Sequence, residues 1–155
     1  MAARLQDEIR QTRPWASRQE EAALNIARTA AVLDHALARM LKAFDVTPTQ
    51  YNVLRILRGA GDDGLCRHEV STRLIRRVPD VTRLLDRLEE QGLIVRRRRD
   101  ADRRYVTTGI TAAGLALLAR IDGPMGDFHR TRLASLDEGA LTTLIHLLET
   151  VRSAG

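Results

Sequence analysis

Val81-Thr82-Arg83-Leu84-Leu85-Asp86-Arg87-Leu88-Glu89-Glu90-Gln91-Gly92, running into Leu93-Ile94-Val95-Arg96-Arg97-Arg98-Arg99, is the stretch on which the reading of the fold turns. Val81, Leu84, Leu85 and Leu88 recur at spacings of three and four, which stacks them along one face of an α-helix. Asp80, Thr82, Arg83, Asp86, Arg87 and Glu90 fall on the opposite face. Pro79 suits a first helical position and Gly92 a helix end, so the helix is expected from Pro79 through Gln91. After Gly92 the pattern changes. Ile94 to Arg99, a turn at Asp100-Ala101-Asp102, and Tyr105-Val106-Thr107-Thr108-Gly109-Ile110 predict a β-hairpin. Its strand carries Arg96 to Arg99 and its tip Arg103 and Arg104.

Upstream, Thr47-Pro48-Thr49-Gln50 is a helix start in which Thr47 caps and Gln50 reaches back. That helix runs through Val53, Leu54, Ile56 and Leu57 to a stop at Gly59, and Leu65-Cys66 is expected as a very short strand. A further helix is expected over Arg67 to Arg76 with Val70, Leu74 and Ile75 inward. From Ser17 to Phe44 a long helical pattern carries Ile26, Ala30, Leu33, Leu37, Met40, Leu41 and Phe44. Downstream, Thr111 caps a helix with Leu115, Leu117, Leu118 and Ile121, which Gly123-Pro124 is expected to kink or break. A last helix opens at Ser135-Leu136-Asp137-Glu138 and presents Leu141, Leu144, Ile145, Leu148 and Val151. The fold class is therefore mainly α with a small β-wing. Closely spaced helices followed by a basic hairpin are the layout of a winged helix-turn-helix.

The charge is as uneven as the pattern. The chain has a net charge of +5, and residues Cys66 to Arg104 hold 12 Arg against 7 acidic residues, a balance of +5. The remaining 25 − 12 = 13 basic and 20 − 7 = 13 acidic residues cancel. Positive charge gathered into one quarter of a chain points to a polyanionic partner. Thr82, Arg83 and Arg87 lie in the first turns of the expected recognition helix, where side chains meet base edges in the major groove. Arg76 and Arg77 in the preceding turn are placed for phosphate contact, and an Arg-tipped hairpin can reach the adjacent minor groove. Taken singly, the helix face and the arginine run are each also what an ordinary solvated surface would carry. Together, at this spacing, they favour double-stranded DNA.

The run Val81 to Ile94 resembles the recognition-helix signature of the MarR (multiple antibiotic resistance regulator) family. Asp102-Arg103-Arg104 followed by Ile110-Thr111-Ala112-Ala113-Gly114 is similar to that family's wing tip and next helix start, and Thr47-Pro48-Thr49-Gln50-Tyr51 to another of its helix starts. The resemblance is close over Asp45 to Leu118 and extends to the terminal helices in placement only. It implies a homodimer whose terminal helices, 17–44 and 111–152, interlock, and whose winged domains, 47–110, each read half of a palindromic operator. Carried over by position, it makes Pro79, Asp80, Val81, Thr82, Arg83 and Arg87 groove-facing or phosphate-facing; Arg76 and Arg77 of the preceding turn and Arg97 and Arg99 of the arginine run complete the expected DNA-binding set. Arg103 or Arg104 becomes the minor-groove probe, and Asp102 the carboxylate that orients a wing arginine. The chain departs from the family at Val78, which cannot cap a helix through its side chain, and at Gly123-Pro124.

Apolar stripes also ask for a partner. Ile26, Ala30, Leu33 and Leu37, and Leu141, Leu144, Ile145 and Leu148, are the expected dimerisation residues, because a winged domain alone is too small to cover both sets. The alternative is that the two stripes pack on each other within one chain.

The resemblance further implies release of DNA by a small aromatic effector, for which Trp15, His35, Tyr51 and Asn52 are candidate lining residues. The expected function is a sequence-specific repressor. The alternatives are a low-specificity architectural DNA-binding protein and a thiol-based redox-sensing repressor acting through Cys66. A structural Cys66 is the reading preferred, since peroxide-sensing members of the family carry their cysteine near the first helix. The lone Cys66 excludes an internal disulfide, and no apolar run approaches the ~20 residues that span a bilayer, so a cytoplasmic protein without a membrane segment is expected. His35, His68, His129 and His146 have no close metal-ligand spacing, so no metal is expected. No phosphate loop, metalloprotease motif or nucleophile elbow occurs, so neither a cofactor nor catalysis is expected.

Overall fold

The computed structural model describes residues 4–99 and 102–154, with side chains described over 4–98 and 106–154. The chain forms two compact units that part between Gln50 and Tyr51.

In the first unit a short helix, α1 (Leu5–Glu8), precedes a long one, α2 (Arg18–Leu41). Ser17 starts α2, its hydroxyl accepting the Glu20 N–H at 3.1 Å while the Glu20 carboxylate takes the Ala16 N–H. The helix expected to run to Phe44 changes character before it gets there. α2 ends at Leu41 and tightens into a 3₁₀ turn over Lys42–Phe44, with Asp45 left-handed at φ 57°. Arg28 donates to Glu8 at 3.2 Å and ties α1 to α2. Leu41 is the one buried residue of α2. Ile26 and Ala30 are exposed and Leu33 and Leu37 half-buried.

The Thr47 cap forms as its spacing predicts: Gln50 N–H donates to Thr47 Oγ1 at 3.2 Å and Thr47 N–H to Gln50 Oε1 at 2.9 Å. Helix α3 (Pro48–Ala60) grows from this cap and carries past Gly59, where a stop was expected, into a 3₁₀ turn at Gly61–Asp63. A single glycine weakens a helix without ending it; the left-handed Gly61, φ 67°, does the turning.

In the second unit α3 is followed by α4 (Arg67–Arg73), α5 (Val81–Glu90), strands β1 (Ile94–Arg99) and β2 (Asp102–Ile110), α6 (Ala112–Arg132) and α7 (Glu138–Ser153). The strands pair antiparallel from Ile94↔Ile110 to Arg98↔Val106. Leu65 adds a single bridge to this wing, exchanging both main-chain hydrogen bonds with Thr108 at 2.9 and 2.8 Å. Gly64 permits that approach: its φ is +65°, and a Cβ there would lie 2.6 Å from the Thr108 carbonyl oxygen.

Val53, Leu54, Leu57, Leu65, Val70, Leu85, Leu88, Ile94, Leu118 and Ile121 form the buried core of this unit. Two polar ties fix α6. Arg58 of α3 meets Asp122 bidentately at 2.8 and 3.1 Å, and that hydrogen bond holds the Arg58 guanidinium more firmly protonated than usual. Thr111 caps α6 by accepting the Gly114 N–H at 3.1 Å and donates to the Gly92 carbonyl at 2.7 Å, joining the wing's exit to the end of α5.

At four places the local structure departs from the expectation. The α4 helix stops at Arg73 because Leu74 is extended (ψ 132°), which buries Leu74 and throws Ile75 out to 86% exposure instead of inward. Asp80, not Val78 or Pro79, begins α5, its carboxylate accepting the Arg83 N–H at 2.9 Å. Gly123-Pro124 does not break α6, which is continuous through Pro124. Both residues lie on the exposed side, where losing one main-chain donor costs least, while Ile121 and Met125 are buried on the other. The cap of α7 is Asp137, accepting the Ala140 N–H at 2.8 Å, rather than Ser135.

Candidate nucleic-acid interface

Helix α5 separates its two faces cleanly. Val81, Leu85 and Leu88 are buried, while Thr82, Arg83 and Arg87 are exposed together on the other side. Val81 was expected among the DNA-facing residues, and its burial removes it from that set. At 8% exposure it is core, set inward by its place one helical turn before Leu85. Asp80 spends its carboxylate on the α5 cap. Pro79 and the arginines Arg76 and Arg77 are exposed in the turn that leads into the helix.

That turn is anchored from α3. The Ile75 N–H donates to Asn52 Oδ1 at 3.0 Å, so Asn52, first proposed for an effector pocket, supports the approach to α5. Arg67 at the start of α4 donates to Thr82 Oγ1 at 2.9 Å, orienting a hydroxyl on the exposed face. Sequence reasoning did not count Arg67 among the DNA-facing residues.

The arginine run of β1 resolves into different roles. Arg96 is turned toward α5, where its guanidinium donates to Asp86 Oδ1 at 2.6 Å and to the Thr82 carbonyl at 3.4 Å. It also stands 3.6 Å from Glu89 Oε2, and its main-chain N–H donates to Glu89 Oε1 at 3.0 Å. Arg97 and Arg98 are exposed. Strand alternation holds the missed signal: Arg96 shares a face with buried Ile94. The side chains of Arg99, Asp102, Arg103 and Arg104 lie outside the described residues, so the wing-tip assignments rest on the sequence alone.

Between α5 and the wing lies a cavity of about 230 Å³ lined by Arg67, Thr82, Leu85, Arg96, Val106 and Thr108. The remaining candidates for an effector pocket are divided. Trp15 is half-buried ahead of α2 and His35 is exposed on it, both in the first unit. Tyr51, in the second unit, is buried beneath the Arg55 guanidinium at 5.8 Å. Burial holds its phenol above its ordinary pKa, against the pull of Arg55.

Cys66 is a half-buried free thiol whose main-chain N–H donates to Glu69 Oε2 at 2.8 Å, at the start of α4. Among the described residues no group of three or more His, Cys, Asp and Glu could hold a metal ion, and no helix is long and apolar enough to cross a membrane.

The expected dimerisation residues of the last helix stand out. Helix α7 buries none of its side chains. Leu144 and Ile145 are exposed and Leu141 and Leu148 half-buried, and the exposed set extends to Leu147 and Val151.

The model of the MarR family matches residues 44–104, the stretch from the end of the first unit to the wing tip. The chain is 31% identical to the multiple antibiotic resistance protein MarR of Salmonella typhimurium over 121 residues, 76% of this chain and 81% of that one. It is 28% identical to the homoprotocatechuate degradative operon repressor of Escherichia coli, covering 71% of this chain and 73% of that one. The crystal structure of a MarR transcription factor from Planctomyces limnophilus superposes with a TM-score of 0.67 at 34% identity, over 88% of this chain and 99% of that one.

Proposed function

Since the chain belongs to the MarR family, we propose that it is a homodimeric transcriptional repressor that binds a palindromic operator and is released by a small aromatic effector. One observation carries the DNA reading. Thr82, Arg83 and Arg87 share the exposed face of a helix whose other face is locked in the core, and exposed arginines of β1 lie next in the chain. A rigid helix presenting two guanidinium groups one turn apart meets the donor requirement of guanine edges and phosphates in the major groove. The wing, with Arg97 and the tip arginines Arg103 and Arg104, then lies along the flanking minor groove. In this reading Arg76 and Arg77 neutralise phosphates.

The dimer follows from α7, whose apolar residues need a cover. A second copy supplies one by symmetry and sets two α5 helices on successive turns of the duplex. The effector reading draws support from the relative that represses an operon for degrading homoprotocatechuate, itself a small aromatic acid. The cavity between α5 and the wing sets the apolar Leu85 and Val106 beside the guanidinium of Arg67, while the Arg96 guanidinium on its wall is taken up by Asp86 and Glu89. That is the chemistry for one aromatic ring bearing an anionic group. The protein acts in the cytoplasm, as a regulator rather than a catalyst.

The test is selection of duplexes from a random 30-base-pair pool, followed by titration of the winner. Arg83→Ala is expected to weaken binding about 5- to 100-fold and relax preference at one position per half-site. Failure to enrich any palindrome, with equal affinity for all duplexes, would overturn the repressor in favour of a low-specificity binder.

A further inference from the structure

Arg96 is one of four consecutive arginines facing a proposed polyanion, yet its guanidinium is committed elsewhere. It donates at 2.6 Å to Asp86, which lies one turn past Thr82 on α5, and stands 3.6 Å from Glu89, three residues further along that helix. Its side chain is only 27% exposed, while Asp86 and Glu89 are 46% and 39% exposed. The Arg96 N–H also donates to Glu89 at 3.0 Å, so Glu89 holds both the backbone and the side chain of one strand residue. The wing and the helix are therefore joined by one cation between two carboxylates, reinforced by a main-chain bond. Nothing else among the described residues links the side chains of β1 to α5 by charge.

We propose that Arg96, Asp86 and Glu89 form a clamp that sets the angle of the wing to the recognition helix, making them positioning residues for DNA binding rather than DNA contacts. The inference rests on the DNA-binding reading above. Helix and wing enter adjacent grooves of one duplex, so both must arrive at a fixed separation. A hairpin joined to its domain at one end would otherwise lose that geometry each time it bound. The clamp also explains how two carboxylates are tolerated on a surface meant for phosphates: Arg96 offsets one of their two charges and draws both side chains onto itself. The remaining exposed arginines of the strand, Arg97 and Arg98, are left for the duplex.

Electrostatics alone and the clamp make opposite predictions for the carboxylates. Removing a negative charge beside DNA strengthens binding if Asp86 acts only through the field. If it holds Arg96, removal weakens specific binding. The experiment uses the full chain and the duplex selected from the random pool, with an unrelated duplex of equal length as reference, titrated over a series of salt concentrations. Asp86→Asn and Glu89→Gln are each expected to lose about 3- to 10-fold on the selected duplex while binding the unrelated one as tightly as wild type or slightly tighter. Arg96→Gln is expected to lose about 10-fold on the selected duplex with its salt slope unchanged, whereas Arg97→Gln lowers the slope by about one. Arg96→Lys, which can reach one carboxylate but not both, should fall between wild type and Arg96→Gln.

Melting temperatures identify any variant that fails to fold, and the two carboxylate variants carry the test if Arg96→Gln is among these. Tighter or unchanged binding of the selected duplex by Asp86→Asn and Glu89→Gln would overturn the clamp, as would a salt slope reduced by about one in Arg96→Gln. Enrichment of no duplex at all would instead overturn the DNA-binding reading, and the two failures are told apart at the first step.

Discussion

Helices α5 and α7 are both amphipathic, and they finish their hydrophobic business in opposite ways. On α5, Val81, Leu85 and Leu88 are buried within the chain and the charged residues face outward. On α7 no residue is buried, and Ile145, Leu147 and Val151 are 56%, 57% and 61% exposed. The first helix is complete in one chain and can therefore be rigid before its partner arrives. The second is left uncovered in one chain, and in the proposed dimer it is completed by a second copy, which makes its stability depend on concentration. A DNA reader gains from that division: the reading surface is preformed, and the spacing between two of them is set by assembly.

The largest effect is expected from breaking α7. Ile145→Asp places a charge in the apolar face proposed to be shared by two copies, where it has no partner and no water. The dimer should dissociate at micromolar concentration, seen as a halved mass by sedimentation or light scattering. Affinity for an operator should drop about 100-fold or more, because each half-site then binds alone. A variant that stays dimeric and binds normally would remove α7 from the interface.

Breaking the packed face of α5 should cost the chain itself. Leu88 is fully buried, and Leu88→Ala is expected to destabilise by ~2–5 kcal/mol. Urea unfolding should show the loss equally at low and high protein concentration. Ile145→Ala is the contrast: its loss should grow as protein is diluted. Were the two variants to respond alike to dilution, the distinction between a self-completed and a partner-completed helix would fail.

How much of this could be read before the structure depends on the range of the physics involved. Caps and turns are local, so Thr47-Gln50 and Thr111 form as their spacing predicts. The hairpin pairs Ile94–Arg98 with Val106–Ile110 as the alternation predicts, with Leu65 bridging to it, but its second strand starts at Asp102, a residue expected in the turn. Where a rule of local propensity met a tertiary demand, the tertiary demand won. Pro124 stays within a helix because buried Ile121 and Met125 hold both sides of it. Ile75 is exposed because an extended Leu74 takes the core position and Asn52 fixes the turn. Composition could not rank four adjacent arginines. Their division of labour comes from pairing with Asp86 and Glu89, ten and seven residues earlier.

The smallest effect is expected at the caps, and it separates the two helices again. Asp80 and Asp137 occupy the same station, each carboxylate accepting the N–H three residues on, at 2.9 and 2.8 Å. Replacing either by Ala removes one hydrogen bond and a favourable charge at the helix's positive end, for ~0.5–2 kcal/mol. At Asp80 that loss falls on a helix packed within its own chain, so it should be independent of dilution, and Asp80→Ser should restore most of it. Asp80→Ala also removes a negative charge beside the proposed phosphate contacts, so non-specific DNA affinity should rise slightly even as stability falls. Asp137→Ala should carry no DNA effect of that sign. Its cost should appear chiefly as a weaker dimer, since the frayed first turn of α7 lies in the helix proposed to pair with a second copy. Equal dependence on concentration at both caps would mean that α7 is stabilised within one chain after all, and that its exposed leucines and Ile145 serve another purpose.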